Sequence, residues 1–210
     1  LNKDSLVEGT HREYSLGIFG DFPFGDPTGP RISETKMTFN EAYLAPSDPC
    51  TMYGYWQTEK YFRNIAPVIA KRFEFSGTPK ALPGDTFIHI RRGDYVNLTA
   101  FHGMPGPEYY QKALTYVHNI TGRQPTPFIF SDDPEWCKSY FPYPVIEGNT
   151  KYEDMHMMSV TPHAIIANSS FSWWGAWLRD PNGITVAPKQ WFTEPTVDSS
   201  DLIPGRWAAL

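Results

Sequence analysis

Two adjacent arginines, Arg91 and Arg92, directly follow the apolar run Thr86-Phe-Ile-His-Ile90 in a chain whose formal charge is −5. Guanidinium forks bind phosphate oxygens bidentately, so the pair reads as a clamp for a diphosphate in a protein with no general affinity for anions. Neighbouring residues on an extended chain point to opposite faces. One arginine, assigned here as Arg92, then meets the ligand, while Arg91 pairs with a carboxylate, Asp94 being nearest in sequence. An ion pair on the surface is the competing reading, since such pairs are common and weak.

Three further groups carry polar chemistry. His89 can donate to a base or ribose, and equally can be a satisfied core histidine. In Ser131-Asp132-Asp133-Pro134, Asp133 reads as a helix cap with proline at the first helical position. That leaves Asp132 to accept from the amidine edge of guanine or from ribose, with metal ligation as the alternative. No second carboxylate or histidine stands at magnesium-like or zinc spacing, so the metal expectation is none. Asn168-Ser169-Ser170-Phe171-Ser172 opens a helix. Its hydroxyls and first-turn amides can grip a diphosphate from a second side, or Ser169 or Ser170 can serve as an ordinary cap.

The elements that must position these groups alternate beyond Gly84. Strands are expected at Thr86–Ile90, Phe128–Phe130, Val145–Ile146, His163–Ala167 and Ile184–Ala187. Helices are expected at Pro107–Val117, from Pro134, at Tyr152–Val160 and at Phe171–Leu178. This alternation predicts an α/β fold with a parallel sheet covered on both faces. The three polar segments each end a strand, where ligands of such sheets bind, near a switch in strand order. Earlier in the chain, Phe22–Pro30 reads as consecutive turns, and apolar positions at helical spacing predict a helix over Glu59–Phe73, kinked at Pro67. Trp173, Trp174 and Trp177 read as core; Tyr53, Tyr55 and Trp56 read as exposed aromatic contacts.

A pI near 5.7 gives no electrostatic reason to expect nucleic acid or anionic membrane as partner. Cys50 and Cys137 match no zinc or redox spacing and are expected reduced. No apolar run is long enough to span a bilayer, and Leu1–Thr10 lacks the pattern of a signal peptide, so membrane association is expected only through a segment not present. The sequons at Asn97, Asn119 and Asn168 would matter only in a secreted chain.

Taken together, five blocks in order resemble the α-1,2-fucosyltransferases of glycosyltransferase family 11, with their H-x-R-R-G-D motif. They are Gly54–Phe62, His89–Val96, Phe130–Cys137, Ile165–Leu178 and Ala187–Phe192. The resemblance implies a GT-B-like enzyme with a Rossmann-type donor domain over residues 76–210. It implies inverting transfer of L-fucose from GDP-β-L-fucose to the 2-hydroxyl of a β-galactoside on a glycan, without a metal cofactor. By the motif match Arg92 binds the donor diphosphate, His89 and Asp132 lie near the guanosine, and Ser169, Ser170 and Ser172 line the diphosphate side; Arg91, Asn168 and Phe171 are counted among the donor-binding residues. Asp94 is the candidate general base.

The family's opening Gly-rich strand-turn segment has no counterpart, so residues 1–75 are expected to form an incomplete amino-terminal, acceptor-side region. Two other readings follow: a GDP-sugar- or carbohydrate-binding fragment without catalysis, and a metal-dependent hydrolase using Asp132 or Asp133. The expected compartment is cytoplasmic or peripheral to a membrane for a bacterial chain, and the Golgi lumen for a eukaryotic fragment.

Overall fold

The computed structural model describes Phe19 and residues 29–210. Apart from Gly29 and Pro30, the turns expected over Phe22–Pro30 lie outside the described residues, as does Leu1–Thr10. The chain divides into two compact units, with the division after Ser76.

In the first unit, strands β1 (Arg31–Ser33) and β2 (Thr51–Tyr53) pair in parallel, Ile32 opposite Met52. Three residues each are too few to show a period, and neither strand was foreseen. The long helix expected over Glu59–Phe73 is instead two 3-10 turns, Glu59–Tyr61 and Arg63–Ile65, followed by helix α1 (Ala66–Arg72). Pro67 explains the correction. It lacks an N–H and its ring opposes the carbonyl four residues back, so it opens the α-helix where it was expected to kink it. Helix α1 has no buried residue, and Val68 is 65% exposed.

The second unit is built on a five-stranded parallel sheet. Its strands are β3 (Thr86–Ile90), β4 (Pro127–Ser131), β5 (His163–Ile165), β6 (Thr185–Ala187) and β7 (Ala208–Ala209), in the order β4-β3-β5-β6-β7. Every residue of β3 is buried, as expected of a central parallel strand covered on both faces. The weak strand expected at Val145–Ile146 is an isolated bridge to Ile129 at the sheet edge. Strand β7, only two residues long, was not foreseen.

Four helices cover the sheet. Helix α2 (Pro107–Thr121) starts at a proline and stops at Gly122, whose φ of +66° closes the helix in the left-handed region. Asp133 accepts from the Trp136 N–H to cap α3 (Pro134–Tyr140), as expected. Thr150 and Glu153 form a reciprocal capping box on α4 (Lys151–Val160). Helix α5 (Ser170–Trp177) follows β5.

Alternation along the strands sorts the core. Ile88, Ile90, Ile129, Ile165 and Val186 pack with Tyr110, Leu114 and Val117 of α2, with Cys137 of α3 and with Phe141 just after it. Phe87, Phe128 and Phe130 are buried and, by the period of two, point to the other face. There α4 packs on α5 so closely that a Cβ on Gly175 would lie 2.9 Å from Met158 Cβ and Sδ. Trp173 and Trp177 are buried in this layer, the Trp173 indole donating to the Leu202 carbonyl at 2.7 Å. The core role expected of them holds, while Trp174 is half-buried. Among the described residues no helix is long and apolar enough to cross a membrane.

From β3 the chain crosses to β4 at one edge, then passes back to β5 on the opposite side of β3. The direction of winding reverses between β3 and β5, and the carboxyl ends of these strands are where ligands of such sheets bind.

Candidate functional site

Residues Arg91–Gly93 leave β3 at this reversal and lead into a 3-10 turn, Asp94–Asn97. The Arg91 guanidinium reaches Asp94 at 2.5 Å and Asp132 at 2.8 Å. Arg92 takes different partners. Its Nε donates to Asp133 at 3.0 Å, and its guanidinium carbon stands 4.1 Å from the centre of the Trp136 ring. Asp132 closes the arrangement by accepting the Arg92 backbone N–H at 2.8 Å. A side chain on Gly93 would put its Cβ 2.4 Å from Asp132 Oδ2, so the Asp132 carboxylate would have to leave this position.

Two guanidinium groups thus face three carboxylates, and both arginines are in ion pairs. Arg91 does hold Asp94. Their side chains stay 28% and 21% exposed, so an anion arriving from solvent can compete for them. The hydrogen bond from Arg92, with that from the Trp136 amide, holds the Asp133 carboxyl below its ordinary range.

His89 is buried at the end of β3 with its ring 5.8 Å from that of Phe171 in α5. Its Nδ1 has no hydrogen-bond partner. Burial, reinforced by the Arg91 charge, pushes its pKa down to about 3, so the ring is neutral.

The segment after β5 lies beside the arginine loop. Tyr95 donates its hydroxyl to the Asn168 carbonyl at 3.2 Å. The buried Asn168 amide donates to Gly103 O at 2.6 Å and Trp191 O at 2.9 Å, binding three loops together, while its Oδ1 is buried without a partner. Ser169 sits at the cap position of α5, yet no side chain caps that helix. The capping alternative is therefore not realised. Ser170 is exposed; Ser172 is fully buried, its hydroxyl turned back to the carbonyls of Ser169 and Ala167. Ser172 shapes the turn and presents no open hydroxyl.

Sequence reasoning missed several residues gathered here. Trp136 forms the face on which Arg92 lies, and its only signal was a place one turn after Asp133. Tyr95 stacks on His102 with ring centres 4.2 Å apart and planes at 8°. Tyr109 donates to the carbonyls of Ile166 and Val186 at 2.8 and 3.2 Å, fixing the ends of β5 and β6 relative to α2. The contacts of Trp136 and Tyr109 reach between segments far apart in sequence, where no local period announces them. In the first unit Tyr55 is 80% and Tyr53 56% exposed, as expected. Trp56 departs from expectation: it is half-buried against Tyr43 and Tyr61, with ring centres at 5.1 and 5.6 Å. Both cysteines are free thiols. Among the described residues no group of three or more His, Cys, Asp or Glu is arranged to hold a metal ion.

Comparison with known proteins gives the arrangement a lineage. The model of "Glycosyl transferase family 11" matches residues 42–209. An "Alpha-1,2-colitosyltransferase" of Escherichia coli is 38% identical over 179 residues, covering 75% of this chain and 61% of that protein. An "O-antigen biosynthesis glycosyltransferase WbnK" of Escherichia coli is 41% identical over 136 residues, 60% of this chain and 44% of that protein. A "Galactoside 2-alpha-L-fucosyltransferase" of Caenorhabditis elegans is 28% identical over 129 residues, 56% of this chain and 34% of that protein. The chain thus spans between 34% and 61% of the length of these relatives. No solved structure matches. With four-fifths of its length matched by the family model and the motif loops meeting at the sheet reversal, the chain belongs to glycosyl transferase family 11.

Proposed function

We propose that this chain binds the donor in an inverting transfer of L-fucose from GDP-β-L-fucose to the 2-hydroxyl of a β-galactoside. One observation carries the reading: the paired arginines and the uncapped start of α5 lie on the two adjacent strands between which the sheet reverses. As the anomeric carbon–oxygen bond breaks, negative charge builds on the diphosphate and positive charge on the sugar. Arg92 supplies a fixed fork on one side. The N–H groups of the first turn of α5 supply partial positive charge on the other. The diphosphate replaces Asp133 on Arg92, and the guanidinium keeps its ring support on Trp136. His89 and Asp132 belong to the guanosine side in this reading, and the charge is met without a metal.

Calorimetry with GDP, combined with transfer from GDP-fucose to lactose, tests it. Arg92→Ala is expected to weaken GDP binding and lower kcat/KM about a hundredfold, the scale of a lost charge-assisted contact in the transition state. Wild-type behaviour in both assays would sink the assignment of Arg92. Tight GDP binding by the unmutated chain, with neither donor hydrolysis nor transfer, would instead favour a binding fragment.

The name of the colitosyl relative supports a second donor. Colitose is L-fucose without its 3-hydroxyl, so the two donors share every group that Arg92 and α5 would contact. Competition between GDP-fucose and GDP-colitose for one preparation decides between them by kcat/KM.

A further inference from the structure

His102 lies outside the motif blocks, yet it stands on the same loop as Arg91 and Asp94. Its ring is stacked on Tyr95, meets Phe101 edge-on at 4.8 Å and leans on Phe192 at 5.7 Å. The backbone on either side is tied down as firmly. Asn168 holds the carbonyl of Gly103, the next residue, at 2.6 Å. Thr193 donates its N–H to Phe101 O and its hydroxyl to Thr99 O, both at 3.0 Å. An imidazole fixed from three sides, on a loop anchored from two others, is placed with a care that a solvated surface histidine does not require.

The ring is half-buried, and its Nδ1 is buried without a partner. Its exposure therefore comes from the other edge, which carries Nε2. An inverting transfer needs a base for the acceptor hydroxyl. Asp94, the candidate from the sequence, already holds the Arg91 guanidinium at 2.5 Å, so that carboxylate is engaged in an ion pair within the loop.

We propose that His102 Nε2 is the base that takes the proton of the acceptor hydroxyl, an inference that rests on the glycosyl transfer proposed above. The hydroxyl proton passes to Nε2 as the acceptor oxygen bonds the anomeric carbon. The anomeric carbon–oxygen bond breaks, and its electron pair leaves with the diphosphate of GDP. The imidazolium then returns its proton to solvent. Asp94 faces the ring closely enough to stabilise that imidazolium, while Arg91 opposes it. Tyr95, Phe101 and Phe192, the other groups against the ring, carry no charge. Burial is the largest influence and sets the proton affinity below that of an ordinary histidine, so the base is neutral and ready at neutral pH. The acid limb of kcat is expected below the usual histidine range, because protonation removes the base.

Transfer from GDP-fucose to lactose is measured for the wild type, His102→Gln and His102→Ala, with GDP affinity by calorimetry in parallel. The expected result is a loss in kcat of about a hundredfold or more, with GDP affinity unchanged and the acid limb gone. Added imidazoles should restore His102→Ala in proportion to their basicity. Near-wild-type kcat in His102→Gln overturns the proposal alone. So does a loss of GDP affinity that matches the loss in kcat, or a His102→Ala enzyme that no imidazole rescues, since either outcome makes the ring structural. Absence of any transfer by the wild type would overturn the functional reading, and this proposal with it.

Discussion

At the scale of single residues, the site depends on contacts too short to tolerate substitution. Gly93→Ala would drive a methyl group into Asp132 Oδ2, which lies 2.4 Å from the position of that Cβ. The expected outcome is an intact sheet by circular dichroism with GDP binding weakened about tenfold, because Asp132 would release both Arg91 and the Arg92 amide. Arg92→Lys keeps the charge but loses the planar fork that spans Asp133 and lies over Trp136. Calorimetry should place it close to Arg92→Ala rather than close to wild type. His89 contributes through pH. Its folded pKa, about 3, is below the unfolded value, so the unfolded chain binds the extra proton between about pH 6.5 and 3. The stability contributed by the neutral ring is complete above pH 6.5 and is lost as pH falls through that window, by up to about 1.4 kcal/mol per pH unit. Urea denaturation of His89→Gln at pH 7 and pH 4.5 should show a smaller difference than wild type.

At the scale of elements, caps and helix crossings set the frame that carries these residues. Thr150→Ala removes the hydroxyl that accepts the Glu153 N–H, leaving only the backbone half of the capping box on α4, and is expected to cost about 1 kcal/mol in urea denaturation, with transfer unaffected. The caps and the parallel strands were legible in the sequence because each has local chemistry: a proline at the start of α2 and α3, Asp133 before Pro134, a buried apolar run at β3. The long helix over Glu59–Phe73 was misread because its apolar spacing is helical while Pro67 forbids the hydrogen bonds that spacing presumes. Strands β1, β2 and β7 carry two or three residues and no period. In the site, Arg91, Arg92, Asp94, Asp132 and Asp133 were legible because type and adjacency announce charge. Tyr95, His102 and Trp136 were not, since their positions follow from ring contacts that only the folded chain makes.

At the scale of the molecule, the sheet, its four helices and all the site residues belong to the unit after Ser76. Residues 77–210 expressed alone are therefore expected to unfold cooperatively and to bind GDP as tightly as the whole chain, as calorimetry on both would show. The net charge of −5 does not conflict with this expectation, because the proposed anion site relies on groups fixed at one place and not on a diffuse field. The stack of Arg92 on Trp136 also gives the protein an optical gauge. A guanidinium 4.1 Å above an indole perturbs its excited state, and drawing that cation onto a diphosphate changes the perturbation. Intrinsic emission should shift as GDP is titrated in, and the signal should vanish in Trp136→Phe while the remaining tryptophans report a constant background.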